Sequence, residues 1–372
     1  MTGIFKKADL PASAICIEND KIFAAFQDIA SGTVNLVSLD PVSNETSTIA
    51  SFEGSKCFLL YALNGKMFIG IDNHLLLRDH DDHWKVVLRS MYSSNFFWHM
   101  AISGDEAFYV QEYGRPPTGI YRSVDGHKWK LIVTSTKLDR HARHFHSIAY
   151  DQFRSTLIAT LGDRNPTRIV ISSDEGENWK SLYKGAWQVL PIEVMKDQIV
   201  FGMDEAISRG GLMIYFPNED RFEVLHLRWP TKHAWSMQMV NLMCLPNKIW
   251  VATLGTPQAI IASTDLLEWS ILSLEGFNKK FCFSMSLAAG KRIVSFATGK
   301  SFYYFPTQDL CKYVNGCQRQ IYVHRALFEN FLSLGHRFQF GRVRVTDVLY
   351  RCFTEFGART NTWTDLHKER SN

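Results

Sequence analysis

The chain has 372 residues, of which 46% are hydrophobic and 13% aromatic, with 10 Trp and 26 Phe. That composition excludes a disordered or linker-rich protein and allows a large buried core. A net charge of +4 gives no support to nucleic-acid binding, which shows a clustered basic face, and no stretch approaches the roughly 18 apolar residues of a membrane-spanning helix.

In chain order, residues 1–9 lack an apolar h-region and a small-residue cleavage pattern, so no signal peptide is expected. The seven cysteines are scattered, odd in number and free of any CxxC pair. Both features predict a cytoplasmic protein with reduced thiols. A repeated rhythm follows: an apolar strand, a tight turn, a β-rich strand, a glycine and an outer hairpin. Inner strands are expected to start near Ala12, Cys57, Phe97, His144, Val189, Trp235 and Phe281. Second strands are expected over 21–26, 66–69, 107–111, 156–160, 198–201, 248–253 and 292–298. Residues 3–7 are expected to supply the outer strand of the last unit and close the ring, which removes its open edges.

Four outer hairpins align on tryptophan: those ending in Trp84, Trp129, Trp179 and Trp269. The shared form is an apolar residue, then Ser-x-Asp-x-Gly-x-x-Trp or a relic of it. Ser123 to Trp129 and Ser173 to Trp179 are good copies, whereas the last has Leu266-Leu267 where a turn glycine would stand. The spacing is that of a propeller blade. The Asp and Ser side chains close such a turn on its own backbone, and Gly takes positive φ. This pattern resembles the Asp-box (BNR) repeat of sialidase-like propellers. The resulting expectation is an all-β, seven-bladed β-propeller with Asp-box turns over residues 1–317.

Residues 318–372 depart from the rhythm. Val323, Leu327, Phe328, Phe331 and Leu332 fall at helical spacing, and 346–356 repeat the pattern with Gly357 as a stop. A short helical extension packed on the propeller is expected here. Lys and Arg outnumber Asp and Glu by nine to five in this segment, an excess equal to the whole chain's charge. Membrane-surface contact through this basic extension is the lesser alternative.

In a four-stranded blade, the starts of inner strands and the loops between second and third strands meet at one mouth of the central channel, opposite the Asp-box turns. This sequence loads those positions unevenly. They carry His99, Tyr113 and Arg115; then His144, His146, Asp163 and Arg164; then Gln188 and Asp204; then Trp235. Trp and Tyr faces stack on sugars, and His, Arg, Asp and Gln serve hydroxyls and carboxylates. His144, His146, Asp163, Asp204 and Tyr113 are the catalytic candidates. His99, Arg115, Arg164, Gln188 and Trp235 are the substrate-binding candidates. His144 and His146, two apart on a strand, point to one side, and with His99 they could hold a metal. The bland alternative is a histidine satisfied by a neighbouring carbonyl, and the primary reading assigns no metal and no cofactor.

The stretch from His144 to Asp204 is also similar to a sub-group of Asp-box proteins encoded among bacterial surface-polysaccharide genes. The likeness rests on His144-x-His146, Tyr150-Asp151, Thr160-Leu161-Gly162-Asp163, Ser173-Asp174-Glu175-Gly176, Gly185 with Gln188, and Gly202-Met203-Asp204. It implies a glycan context rather than a reaction. A true sialidase is not expected: no Arg-Ile-Pro occurs, and the first blade has no Arg. Two functions remain open. One is a polysaccharide lyase or glycoside hydrolase acting on an acidic glycan. The other is a non-catalytic propeller that binds a glycan or protein in polysaccharide synthesis. The His- and Arg-rich set leans toward a lyase, which needs a base and a cation for the uronate carboxylate.

Overall fold

The computed structural model describes residues 6–8, 12–79, 83–104, 107–163, 167–185, 187–205, 210–228, 237–276, 285–298, 302–310, 314, 320–325, 339–340 and 343–344. The chain forms an all-β propeller. Antiparallel four-stranded sheets cover residues 12–53, 59–89, 96–134 and 144–185. A fifth joins Ser286–Ala289, Ile293–Ala297 and Phe302–Pro306 to the N-terminal strand Lys6–Ala8, with Lys6 opposite Tyr304. The N-terminal strand thus joins the sheet of residues 286–306; of the expected closing strand 3–7, residues 3–5 lie outside the described residues.

Apolar side chains fill the spaces between neighbouring sheets. Phe23, Leu36, Leu60 and Ile69 pack the first sheet on the second. Phe68, Leu77, Phe97 and Tyr121 pack the second on the third. Ala288, Phe302 and Tyr304 pack the last sheet on Ala12 and Ile22 of the first, so the ring is closed by packing as well as by pairing.

The expectation of seven separate blades is corrected. Among the described residues five four-stranded sheets are separate, but the strands of 189–276 do not divide into independent blades. They merge with Gln320–Arg325 into one nine-stranded sheet. Gln320–Arg325 lies antiparallel between Arg221–Arg228 and Glu268–Gly276, with Leu225 opposite Arg325 and Glu268 opposite Tyr322. The physical reason is edge satisfaction. Two outer strands face each other with unpaired N–H and C=O groups, and one further strand pairs with both.

The expected helical extension is corrected by the same element, because residues 320–325 are extended. The other described elements of that region are the short strands Gln339–Phe340 and Val343–Arg344. The second expected helix, 346–356, lies outside the described residues. No helix among the described residues is long and apolar enough to cross a membrane.

Three of the tryptophan hairpins repeat one hydrogen-bond pattern. Gly126 N donates to Ser123 Oγ (2.9 Å), and His127 N and Lys128 N donate to Asp125 Oδ1 (both 2.8 Å). Trp129 Nε1 then donates to the Gly126 carbonyl (2.9 Å). In the next hairpin the equivalent serine is Ser172, not Ser173: Gly176 N donates to Ser172 Oγ (2.9 Å). One extra residue, Glu175 at φ 58°, is accommodated in that turn. In the third, Leu266 takes the glycine's place at φ 66° and donates to Ser263 Oγ (2.9 Å). Burial of the Leu266 side chain, 5% exposed, offsets the cost of its left-handed backbone. The Ser123 turn sits beside Phe108, at one end of strand Phe108–Tyr113. Tyr113 is at the other end, about 17 Å away at strand rise.

Candidate functional site

The site is built where inner strands begin. His144 pairs with Gly162 and Phe145 with Leu161, but Ser147 pairs with Thr160. His146 is therefore the extra residue of a β-bulge, and its side chain is re-aimed by the bend. Its ring lies 5.2 Å from that of His144, tilted by 32°, so both imidazoles share one pocket. Gly162 makes this arrangement possible, because its missing side chain leaves the space into which the His146 ring fits.

Asp163 follows Gly162 in a left-handed conformation, φ 64°. Its two oxygens divide between the histidines: Oδ2 lies 3.1 Å from His144 Nε2, and Oδ1 lies 3.3 Å from His146 Nε2. Asp163 N donates to Gln188 Oε1 (2.7 Å), which fixes the loop on the next sheet. Gln188 Nε2 in turn donates to Asp204 Oδ2 (2.8 Å), and Gln238 Nε2 donates to Asp204 Oδ1 (2.6 Å). Strand Ile199–Glu205 pairs at its end with Met237–Cys244, setting Asp204 opposite Gln238. Asp204 Oδ2 also lies 3.5 Å from His146 Nδ1. One imidazole thus stands between two carboxylates.

Tyr113 covers the cluster, its ring centroid 3.9 Å from that of His144. His144 Nδ1 donates to the Gly114 carbonyl (2.9 Å). That carbonyl is held by a buried clamp. Glu112 accepts from Met91 N, Asn95 Nδ2, Gly119 N and Tyr121 Oη, and Asn95 also grips the backbone of Arg115. Arg143 reaches the cluster from outside, with Nη1 3.1 Å from Asp163 Oδ2 and its side chain 55% exposed.

The electrostatics follow from burial and pairing. Burial holds the His144 imidazole below the usual histidine range, against the pull of Asp163. Burial also opposes charge on His146, but the Asp163 and Asp204 carboxylates outweigh it and raise that group. Burial would raise Asp163, yet the two imidazoles set against it keep its carboxyl far below the ordinary range. Burial, then the Asp163 and Asp204 charges, push the Tyr113 phenol well up, so it keeps its proton.

Of the residues singled out from sequence, His144, His146, Asp163, Asp204, Gln188 and Tyr113 come together. His99 does not join the carboxylates. Its Nδ1 pairs with Gln111 Oε1 (3.3 Å), and burial brings its pKa down to about 4. It lines a channel cavity of about 420 Å3 together with Glu193 and Asn241. Arg115 stacks its guanidinium over Tyr92, 4.9 Å from the ring centroid. Arg164 and Trp235 lie outside the described residues. Arg143 falls at the same inner-strand start as His144 but is given no role by the sequence, and Gln111 and Gln238 are not singled out by it. For Gln111 the signal is the Gln111-Glu112 pair inside the strand Phe108–Tyr113, whereas Gln238 has none.

No protein-family model and no curated protein sequence matches the chain. Solved structures do share its fold. An oligogalacturonate lyase in complex with manganese is similar at a TM-score of 0.57 and 11% identity, covering 82% of this chain and 91% of that one. YCF48 from Cyanidioschyzon merolae is similar at 0.56 and 12%, covering 82% and 100%. The extracellular domain of a hybrid two-component system from B. thetaiotaomicron is similar at 0.57 and 12%. This chain spans 39% of the length of that last structure. At such identities the likeness establishes the propeller fold alone.

Proposed function

We propose that this chain is a carbohydrate-active propeller that takes an acidic glycan where His144, His146, Asp163 and Asp204 meet. Elimination beside a uronate carboxylate is the chemistry these residues favour. The observation that carries the reading is the relay from exposed Arg143 through Asp163 to the buried imidazole pair, with the Tyr113 phenol over His144. Arg143 supplies a cation for the sugar carboxylate. A histidine of the pair takes the proton from the carbon beside it. The released electron pair forms the carbon–carbon double bond, and the glycosidic oxygen leaves with the proton of Tyr113. An oligogalacturonate lyase among the structural neighbours adds that this architecture accommodates such a reaction. The Ser-x-Asp hydrogen bonds of the outer turns support the resemblance to Asp-box propellers, and the glycan context rests on the His144 to Asp204 stretch.

One observation favours a second reading, a propeller that binds the glycan without reacting with it. His144 and His146 are each only 1% exposed, so their rings serve more readily as a rigid floor than as a base. The experiment offers the purified protein a panel of polygalacturonate, alginate, hyaluronan and acidic capsular oligosaccharides. Ultraviolet absorbance of an unsaturated uronate supports the lyase. New reducing ends without that absorbance point to hydrolysis, and calorimetric binding without product points to the binding module. Absence of binding to every acidic glycan sinks the proposal.

A further inference from the structure

We propose that His144, His146 and Asp163 form a binding site for one first-row divalent transition-metal ion. The three residues each present a ligand atom, and these atoms lie within 4.8 Å of one another. The closest approaches, 3.1 Å from His144 Nε2 to Asp163 Oδ2 and 3.3 Å from His146 Nε2 to Asp163 Oδ1, are near ligand–ligand separations around a metal. Bonds of about 2.1 Å place neighbouring ligands roughly 3.0–3.4 Å apart.

A second observation is independent of that spacing. His144 Nδ1 faces the Gly114 carbonyl at 2.9 Å, and a carbonyl accepts only. Nδ1 therefore carries a proton, and in the neutral ring the lone pair sits on Nε2. That Nε2 is buried and makes no directed hydrogen bond, although a carboxylate oxygen stands 3.1 Å away. Two lone pairs facing each other at this distance repel, and neither atom is satisfied by the other. A cation accepted by both atoms removes the conflict. His146 Nδ1 is likewise buried without a directed hydrogen bond.

The surroundings match what metal-ligating histidines require. A carbonyl fixes the His144 tautomer, and the Asp204 carboxylate stands 3.5 Å behind His146, itself held by Gln188 and Gln238. Such outer partners orient imidazole ligands and raise their basicity. Among the described residues, the Asp163 and Asp204 carboxylates meet here beside the half-exposed guanidinium of Arg143, so a divalent ion finds compensating negative charge. Imidazole ligands select transition ions over Mg2+ and Ca2+, and two histidines with one carboxylate leave coordination positions for water or an anionic ligand.

The inference goes beyond the glycan reading and does not rest on it, because it is tested with metal alone. Chelator-stripped protein is titrated with Mn2+ and Zn2+ by calorimetry, and with Co2+ by visible absorption. One equivalent is expected to bind, with Co2+ bands displaced from those of the aquo ion. His144→Ala and Asp163→Asn are each expected to weaken binding at least tenfold. His127→Ala, which removes the surface His127–Asp79 pair, should bind as the wild type does. The proposal is overturned if stripped wild type takes up no stoichiometric metal, or if both site variants bind undiminished. Should those variants not fold, the wild-type Co2+ spectrum decides, and bands of the aquo ion overturn it. Metal uptake by a protein that ignores every acidic glycan would sink the functional reading and leave this site standing.

Discussion

Gly162 lies directly under the His146 ring: a Cβ built on it would come within 2.7 Å of Nδ1 and closer still to Cε1 and Nε2. Because the atoms in the way belong to an imidazole wedged between Asp163 and Asp204, the ring has nowhere to withdraw without leaving a carboxylate. Gly162→Ala should therefore act as a site mutation although it changes no polar group. Overpacking of this kind costs about 1–3 kcal/mol. We expect a lowered melting midpoint together with loss of metal or glycan binding. Ligand binding unaltered in the alanine variant would show that the position of His146 is immaterial.

The sequence reveals this neighbourhood only in part, for physical reasons. His144-x-His146 and Gly162-Asp163 are readable because inner-strand starts and second-loop glycines recur at blade spacing. The bulge that places His146 is not readable, since a strand pattern does not say where an extra residue falls out of register. Gln238 is likewise hidden: it meets Asp204 through pairing between strands of adjacent units, a contact without local signature. The C-terminal strand shows the opposite failure. Val323, Leu327 and Phe331 have helical spacing, but the unpaired edges of Arg221–Arg228 and Glu268–Gly276 pull residues 320–325 into extended pairing. Tertiary demand overrides a local period there.

The turn at Ser123 offers a test of which face is which. Its hydroxyl is buried, accepts from Gly126 N (2.9 Å) and contacts Asp125 Oδ1 (3.0 Å). Ser123→Ala leaves that glycine N–H unsatisfied, at a cost of about 1–2 kcal/mol. Chemical denaturation should register the loss, while ligand binding at the far end of strand Phe108–Tyr113 stays at the wild-type level. Abolished binding in a folded variant would place the functional site on the turn face.

Glu193 supplies a pH prediction. Burial in the channel wall raises its pKa from 4.5 to about 7, against a hydrogen bond from Cys244 N (3.0 Å). A raised acid contributes stability that is complete below its unfolded pKa and is lost as pH rises through its folded pKa. Wild-type stability should therefore fall between about pH 4.5 and 7 through this group. Glu193→Gln keeps an oxygen for Cys244 N and removes the charge. The variant should match the wild type near pH 4.5 and exceed it by about 3 kcal/mol at pH 8. Equal stability of the two proteins at pH 8 would contradict the assignment.

Deletion of residues 320–372 tests the strand that joins the outer edges. Removing Gln320–Arg325 strips backbone partners from both Arg221–Arg228 and Glu268–Gly276. Two open edges are templates for pairing with other chains. The truncated protein should melt lower and aggregate on concentration, as followed by light scattering. A monodisperse truncation with an unchanged midpoint would mean that this pairing is dispensable.

Asp204 and Gln238 can be exchanged in a double-mutant cycle. Asp204 is 7% exposed and accepts from two amide groups, Gln238 Nε2 on Oδ1 (2.6 Å) and Gln188 Nε2 on Oδ2 (2.8 Å). Asp204→Asn converts one acceptor into a donor, so an amide must face an amide or turn its oxygen from one partner. A buried mismatch of this kind costs about 1–3 kcal/mol. Gln238→Glu alone sets two carboxylates together and should destabilise for a different reason. Combined, the two changes restore one donor–acceptor pair with the charge moved across the strand pairing. The double variant should therefore be more stable than the sum of the single losses predicts, by about 1 kcal/mol or more. Losses that simply add would mean that the Asp204–Gln238 contact is not what holds this corner of the site.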